Sequence, residues 1–237
     1  MSDNGPDISL SLAFRRRTQP LHSQAERTGI IQEMLRGRAT SFGYALLLRN
    51  LLPAYRQMEQ ALEQLRLRPA FDGIAQRAVY RAAAIETDLE AICGPAWAET
   101  LPLLSAGRCY ADRIDSVAKG DGHRVIAHAY ARYLGDLNGG QILKRLLGQT
   151  LGLAPAALNF YDFPAVSDLE AFKISYRDAL DRSARAIEDI APVVEEAAEA
   201  FALNIRVSEA VLAASRLDSV AASDAAAPDT QSAFETV

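Results

Sequence analysis

Residues 128–143 read His128-Ala129-Tyr130-Ala131-Arg132-Tyr133-Leu134-Gly135-Asp136-Leu137-Asn138-Gly139-Gly140-Gln141-Ile142-Leu143. The helical period resumes beyond the glycines in Lys144-Arg145-Leu146-Leu147, so the helix continues, bent, rather than ending. Three glycines in six residues cost a helix about 3 kcal/mol relative to alanine. A stretch that breaks its own local rule is where function tends to sit. Gly135 and Gly139 are four apart, share one face and strip it of side chains. Two physical uses are open: a neighbouring helix packs very close, or a ligand lies flat on bare backbone. Asp136, a charge beside that strip, favours the ligand. Arg132, one turn earlier, either pairs with Asp136 on the surface or leaves Asp136 as a partly buried carboxylate that holds water at the bare face.

Working outward, nearly everything between 8 and 216 reads as helix. Segment 40–67 is rich in Leu, Ala, Gln, Glu and Arg, with Leu47, Leu51, Ala54, Met58 and Leu62 on one face and Pro53 expected to kink it. Further helices are expected over 74–92, ended by Cys93-Gly94-Pro95, over 99–119, ended by Gly120-Asp121-Gly122, and over 123–151, 168–190 and 192–217. Val, Ile and Thr never alternate with polar residues over five or six positions, so no strand is expected and the class is all-α. Segment 154–166, with Phe160, Tyr161 and Phe163 between Pro155 and Pro164, is expected to be a loop packed down by its aromatics. The domain organisation is a single compact helical domain over 1–217, followed by an acidic, Ala-rich tail over 218–237 too poor in large apolar groups to order itself.

Composition narrows the function classes. The chain has 237 residues, 49% hydrophobic and 23% charged, as a soluble globular protein does. The formal net charge is −5, but Asp218, Asp224, Asp229 and Glu235 fall in a tail without Lys or Arg. The near-neutral body argues against nucleic-acid binding, and the run Arg15-Arg16-Arg17 reads as a solvated helix face. Cys93 and Cys109 form no CxxC pair and no disulfide framework. With no signal-peptide pattern and no apolar run of membrane-spanning length, the chain reads as a soluble cytoplasmic protein without a membrane partner.

Of the three histidines, His22 stands out, in Leu21-His22-Ser23-Gln24-Ala25-Glu26. A lone helical histidine is more often structural, but Glu26 is one turn away, and a carboxylate can hold one imidazole nitrogen while the other binds a metal. No cluster of His, Cys, Asp and Glu makes a zinc site. A single histidine suits an axial ligand to heme iron, whose equatorial ligands belong to the cofactor.

His22 in LHSQAE, followed by HAYARYLGDLNGGQILKRL, closely resembles the heme oxygenase family. Matches continue in NFYDFP, in Phe172-Lys173-Ile174-Ser175-Tyr176-Arg177 and in Phe201-Ala202-Leu203-Asn204, so the similarity covers roughly residues 10–212. The resemblance implies heme, at once cofactor and substrate, sandwiched between the helix of His22 and a kinked helix carrying Gly135 and Gly139. His22 would be the proximal iron ligand, with Glu26 as its partner. Asp136, with Arg132, would anchor the distal water network that delivers a proton. The resemblance places Arg15, Tyr130, Lys173 and Arg177 at the heme carboxylates, where charged pairing sets which meso carbon is attacked, and Phe201 against the heme.

The implied reaction opens the heme ring to biliverdin, the alpha isomer, with release of carbon monoxide and ferrous iron. It uses dioxygen and electrons from a separate donor such as ferredoxin, flavodoxin or a reductase. A monomeric, soluble bacterial type of enzyme is implied; the alternative is a heme carrier or sensor using the same pocket. Two departures stand out. Asn138 takes a position where serine is commoner in the family, and Pro20 precedes His22 by two residues, leaving open whether Arg15 shares its helix.

Overall fold

In the computed structural model, which describes residues 9–225, ten α-helices are joined by short turns, with no strand among the described residues. They are α1 (Leu10–Ala25), α2 (Gly29–Leu35), α3 (Ser41–Leu65), α4 (Ala82–Cys93), α5 (Trp97–Thr100), α6 (Ser105–Ala118), α7 (Val125–Ala129), α8 (Gly135–Thr150), α9 (Leu169–Ser183) and α10 (Ala191–Ala225). Capping side chains start several of them. Ser9 Oγ accepts from Leu12 N at 3.2 Å, Thr40 Oγ1 from Gly43 N at 3.0 Å, and Asp168 Oδ1 from Ala171 N at 3.0 Å.

The core is built around α3, which packs against α4, α6 and α10. Tyr44, Ala45, Leu46, Leu47 and Leu48 are buried in unbroken succession, as expected of a helix enclosed on all sides. Pro53 does not end α3, although it leaves the Arg49 carbonyl without its helical donor. Helices α3 and α6 approach backbone to backbone at Gly107, where a Cβ would lie 2.7 Å from the Asn50 carbonyl oxygen.

Several boundaries differ from the sequence expectation, each for a local reason. The helix expected from 74 begins only at Ala82, because Gly73 turns the chain at φ +74° and Glu59 caps the new start by accepting from Arg81 N at 2.5 Å and Ala82 N at 3.1 Å. The helix expected over 99–119 is split at Pro102, where Asn50 Oδ1 accepts from Leu104 N at 2.7 Å. The one expected to reach 190 stops at Ser183, followed by a short 3-10 turn. Helix α10 runs past the expected domain boundary at 217 to Ala225; the rest of the acidic tail, 226–237, lies outside the described residues. The aromatic loop forms two 3-10 turns, and Phe160, Tyr161 and Phe163 are buried.

Two placements prepare the site. Helix α1 is continuous through Pro20, so Arg15 and His22, two turns apart, stand on one face of one helix. Its start is tied to α9, where Asp181 accepts from Ser11 N at 2.8 Å and from Ser11 Oγ at 3.1 Å. Between α7 and α8 the chain forms a π turn over Tyr130–Leu134, so the irregularity falls just before the glycines, which themselves keep helical geometry. Single π turns inside helices concentrate at functional sites. Among the described residues, no helix is long and apolar enough to cross a membrane.

Candidate functional site

A cavity of about 1150 Å³ is lined by residues of α1 and α8, with further residues from α9 and α10. Arg15, His22, Glu26, Tyr130, Arg132, Gly135, Asp136, Gly139, Lys173, Arg177 and Phe201, scattered over the whole chain, all line it. On the α1 wall His22 is more than half exposed, with Nδ1 3.6 Å from Glu26 Oε1 and its ring centroid 5.9 Å from that of Phe201. Glu26 follows the last turn of α1, and at 3.6 Å it sits beyond hydrogen-bond reach of the imidazole.

The α8 wall separates the three glycines into two kinds. A Cβ built on Gly135 or Gly139 meets nothing within 4 Å, so these two leave a bare face toward the cavity. A Cβ on Gly140 would lie 2.6 Å from the Tyr161 ring. Gly140 therefore serves the packing use and the other two serve open space. Tyr161 is held in place from behind: Gln141 Nε2 donates to its carbonyl at 2.8 Å, and buried Asp88 of α4 accepts from Asn159 N and Phe160 N, both at 2.8 Å.

Asp136 and Arg132 form a buried pair, not a surface one. Asp136 Oδ1 accepts from Arg132 Nη2 at 3.1 Å, and Oδ2 accepts from the Tyr55 hydroxyl. Arg132 also donates through Nε to Tyr55 Oη at 2.8 Å and through Nη1 to Asn204 Oδ1 at 2.6 Å. Burial pushes the Asp136 carboxyl up from the usual carboxylate range, against the opposing pull of Arg132, Tyr55 and the nearby Arg81. A carboxyl so placed takes up a proton more readily than a surface aspartate. Tyr55 and Asn204 escaped the sequence reading, because tyrosine on an apolar helix face is indistinguishable from core; only Asn204 lay within a stretch already noticed.

At another end of the cavity cations gather. Burial raises the Tyr130 phenol, against the pull of Arg177 from α9 and Arg15 from α1. Lys173 Nζ donates to Asn138 Oδ1 at 3.1 Å and to Glu170 Oε1 at 2.5 Å. The run Arg15-Arg16-Arg17 is thus divided: Arg15 lines the cavity, while Arg17 pairs with Glu195 at 2.8 Å.

A second buried pair lies behind the cavity. His128 Nε2 is 3.0 Å from Glu196 Oε1, and Arg113 donates to both oxygens of the same carboxylate. Burial raises the Glu196 carboxyl, but the bonds from His128 and Arg113 outweigh it and hold the group at about 2. Tyr110 Oη, Tyr133 Oη and His128 Nδ1 are buried without a protein partner, the kind of group that internal water satisfies. Cys93 and Cys109 are free thiols, and neither lines the cavity.

The donor set limits what the cavity holds. Among the described residues, no group of three His, Cys, Asp or Glu gathers to bind a metal ion. One imidazole facing a bare backbone strip, with cations at an edge, instead fits a flat group that brings its own equatorial ligands and carries carboxylates. Heme is such a group.

A family model for heme oxygenase matches residues 8–210. The chain is 32% identical to heme oxygenase 1 of Synechocystis sp. over 200 residues, covering 84% of this chain and 83% of that protein. It is 34% identical to human heme oxygenase 1 over 203 residues, covering 84% of this chain and 70% of that protein. The fold matches the crystal structure of the Synechocystis heme oxygenase-1 in complex with heme with a TM-score of 0.82 at 30% identity, over 93% of this chain and all of that one. The heme oxygenase-2 of the same organism, in complex with heme and NO, matches with a TM-score of 0.82 at 31% identity, over 90% of this chain and 88% of that one.

Proposed function

This chain belongs to the heme oxygenase family, and we propose that its heme-degrading activity opens the ring at the alpha meso carbon, giving biliverdin, carbon monoxide and ferrous iron. Bound heme supplies the iron at which dioxygen is reduced and the carbon skeleton that is oxidised, so it is both cofactor and substrate.

The chain's own residues supply binding, orientation and proton placement. His22 Nε2 ligates the iron from α1, and Glu26 lies beside the other ring nitrogen. Phe201 restrains the imidazole ring. Gly135 and Gly139 leave a strip bare of side chains against which a heme face would be received by backbone. Asp136, kept in place by Arg132, Tyr55 and Asn204, holds water over that strip and passes a proton to the reacting oxygen. Arg15, Tyr130, Lys173 and Arg177 receive the two heme carboxylates and so set the in-plane angle. Electrons come from a separate donor such as ferredoxin, flavodoxin or a reductase. The enzyme is taken to act as a monomer in the cytoplasm.

The observation that carries this reading is the pair of empty Cβ positions on Gly135 and Gly139 facing an exposed imidazole across one cavity. Titration of the purified protein with hemin, followed by ascorbate in air, tests it. The expected result is a one-to-one Soret complex that bleaches into the broad red absorption of biliverdin. His22→Ala should lose the native Soret band and regain it with added imidazole. A Soret band that persists through reduction would leave only a heme carrier, and no Soret band would remove His22 as ligand.

A further inference from the structure

Asn138 stands on α8 between Gly135 and Gly139, exposed and lining the cavity, and both ends of its amide are in use. Nδ2 donates to the Leu134 carbonyl at 2.6 Å, and Oδ1 accepts from Lys173 Nζ of α9 at 3.1 Å. Leu134 closes the π turn, so the first bond sits where the π turn passes into α8. The second bond crosses from the bare helix to the cationic end of the cavity. Lys173 is buried, and its other bond goes to Glu170, which is itself almost fully exposed. Two helices thus hold the ammonium, Glu170 through the shorter, charge-assisted bond within α9 and Asn138 through the bond that crosses to α8.

The chemistry of the amide suits this position. One planar group offers a donor and an acceptor at once, whereas an aspartate cannot donate to Leu134 and a serine hydroxyl is too short to serve both partners. The acceptor is also neutral. It orients the ammonium without adding a second negative charge to that of Glu170, and of the three N–H donors one is left for a ligand carboxylate. Lysine is a point charge on a flexible stem rich in rotamers, and holding it in place before a ligand arrives removes part of the ordering cost from binding.

We propose that Asn138 is a positioning residue for heme: it presets the Lys173 ammonium for a heme carboxylate and so biases the in-plane orientation of the ring. The inference rests on the assignment of Lys173 to a heme carboxylate. It adds a link between the two walls, since a carboxylate that takes Lys173 also acts on the residue that braces the start of α8.

A double-mutant cycle of wild type, Asn138→Ala, Lys173→Met and the double variant tests it, with Asn138→Asp alongside. Hemin affinity is measured by titration, and the ratio of in-plane orientations by proton NMR of the cyanide-ligated ferric complex. Neither readout depends on turnover. Lys173→Met should weaken hemin binding about tenfold, the loss of one charged hydrogen bond. Asn138→Ala should weaken it about threefold, as loss of a neutral hydrogen bond does, and move the orientation ratio in the same direction as Lys173→Met. In the Lys173→Met background Asn138→Ala should do nothing further. Asn138→Asp should weaken binding more than Asn138→Ala, because its carboxylate competes for Lys173.

Two results overturn the inference while leaving the carboxylate assignment intact. One is an undiminished effect of Asn138→Ala in the Lys173→Met background, which would mean that Asn138 acts on α8 alone. The other is a silent Asn138→Ala beside an active Lys173→Met. A silent Lys173→Met overturns the carboxylate assignment itself, and the inference with it.

Discussion

At Asp136, burial raises the carboxyl while Arg132, Tyr55 and Arg81 pull it back, and burial prevails. The group is held by donors on both oxygens, so its position does not depend on solvent. Asp136→Asn is nearly isosteric but cannot take up and release a proton. It is expected to bind hemin with unchanged stoichiometry and to lose biliverdin formation by about a hundredfold, the lower end of what a positioned general acid or base contributes. Single-turnover spectra with ascorbate measure this, and a normal biliverdin yield would remove Asp136 from proton delivery. The Asp136 side chain could be singled out in the sequence because a charge beside bare glycines is anomalous. Its partner Tyr55 could not, since eighty-one residues separate them and nothing local marks that tyrosine.

Helix α8 divides its glycines by task, and the division predicts opposite outcomes for one substitution. Gly139→Ala puts a methyl into open space, so the apo-protein should gain up to about 1 kcal/mol from helix propensity alone, while hemin binding weakens because the methyl stands on the bare strip. Gly140→Ala drives the same methyl into the Tyr161 ring at 2.6 Å, which should destabilise the apo-protein by about 1–3 kcal/mol. Thermal denaturation of the two apo-variants, read beside hemin titration, separates these effects. Equal stability of the two would contradict the assignment. Periodicity marked the helix and the break in its rules, but the three glycines look alike in sequence. Which of them faces Tyr161 depends on where the 154–166 loop lands, and that loop is fixed by Asp88 on another helix. Helix α1 makes a similar point: Pro20 left its start undecided, and the clasp of Asp181 on Ser11 supports a continuous helix from Leu10.

Across the whole molecule, Glu59 is a carboxylate whose environment makes stability depend on pH near neutrality. Burial raises it from an ordinary 4.5 to about 7, against the helix-capping bonds from Arg81 and Ala82. A carboxyl raised in the folded state binds more protons folded than unfolded. Its penalty is therefore absent below about 4.5, grows as pH rises to about 7 and is complete above that. The full size is about 3 kcal/mol. Glu59→Gln keeps an acceptor for the α4 cap without the charge. It should match wild type near pH 4.5 and exceed it in stability at pH 8, as urea denaturation at the two values would show. Equal stability of both proteins at both values would mean that Glu59 stays ionised without penalty.

What the amino-acid order determined by itself was the all-α class, the main helices, the bare strip at Gly135 and Gly139, and the histidine and carboxylate worth watching. These follow from short-range causes: a 3.6-residue period, the conformational cost of glycine, and the chemistry of single side chains. Only the tertiary structure decided that His22 faces that strip across one cavity, that Arg132 and Asp136 are buried together with Tyr55 and Asn204, and that Lys173 meets Asn138. Most of those relations join residues from about 35 to about 150 positions apart. Their distances are set by the packing of α1, α3, α8, α9 and α10 around a common core, which no local pattern encodes.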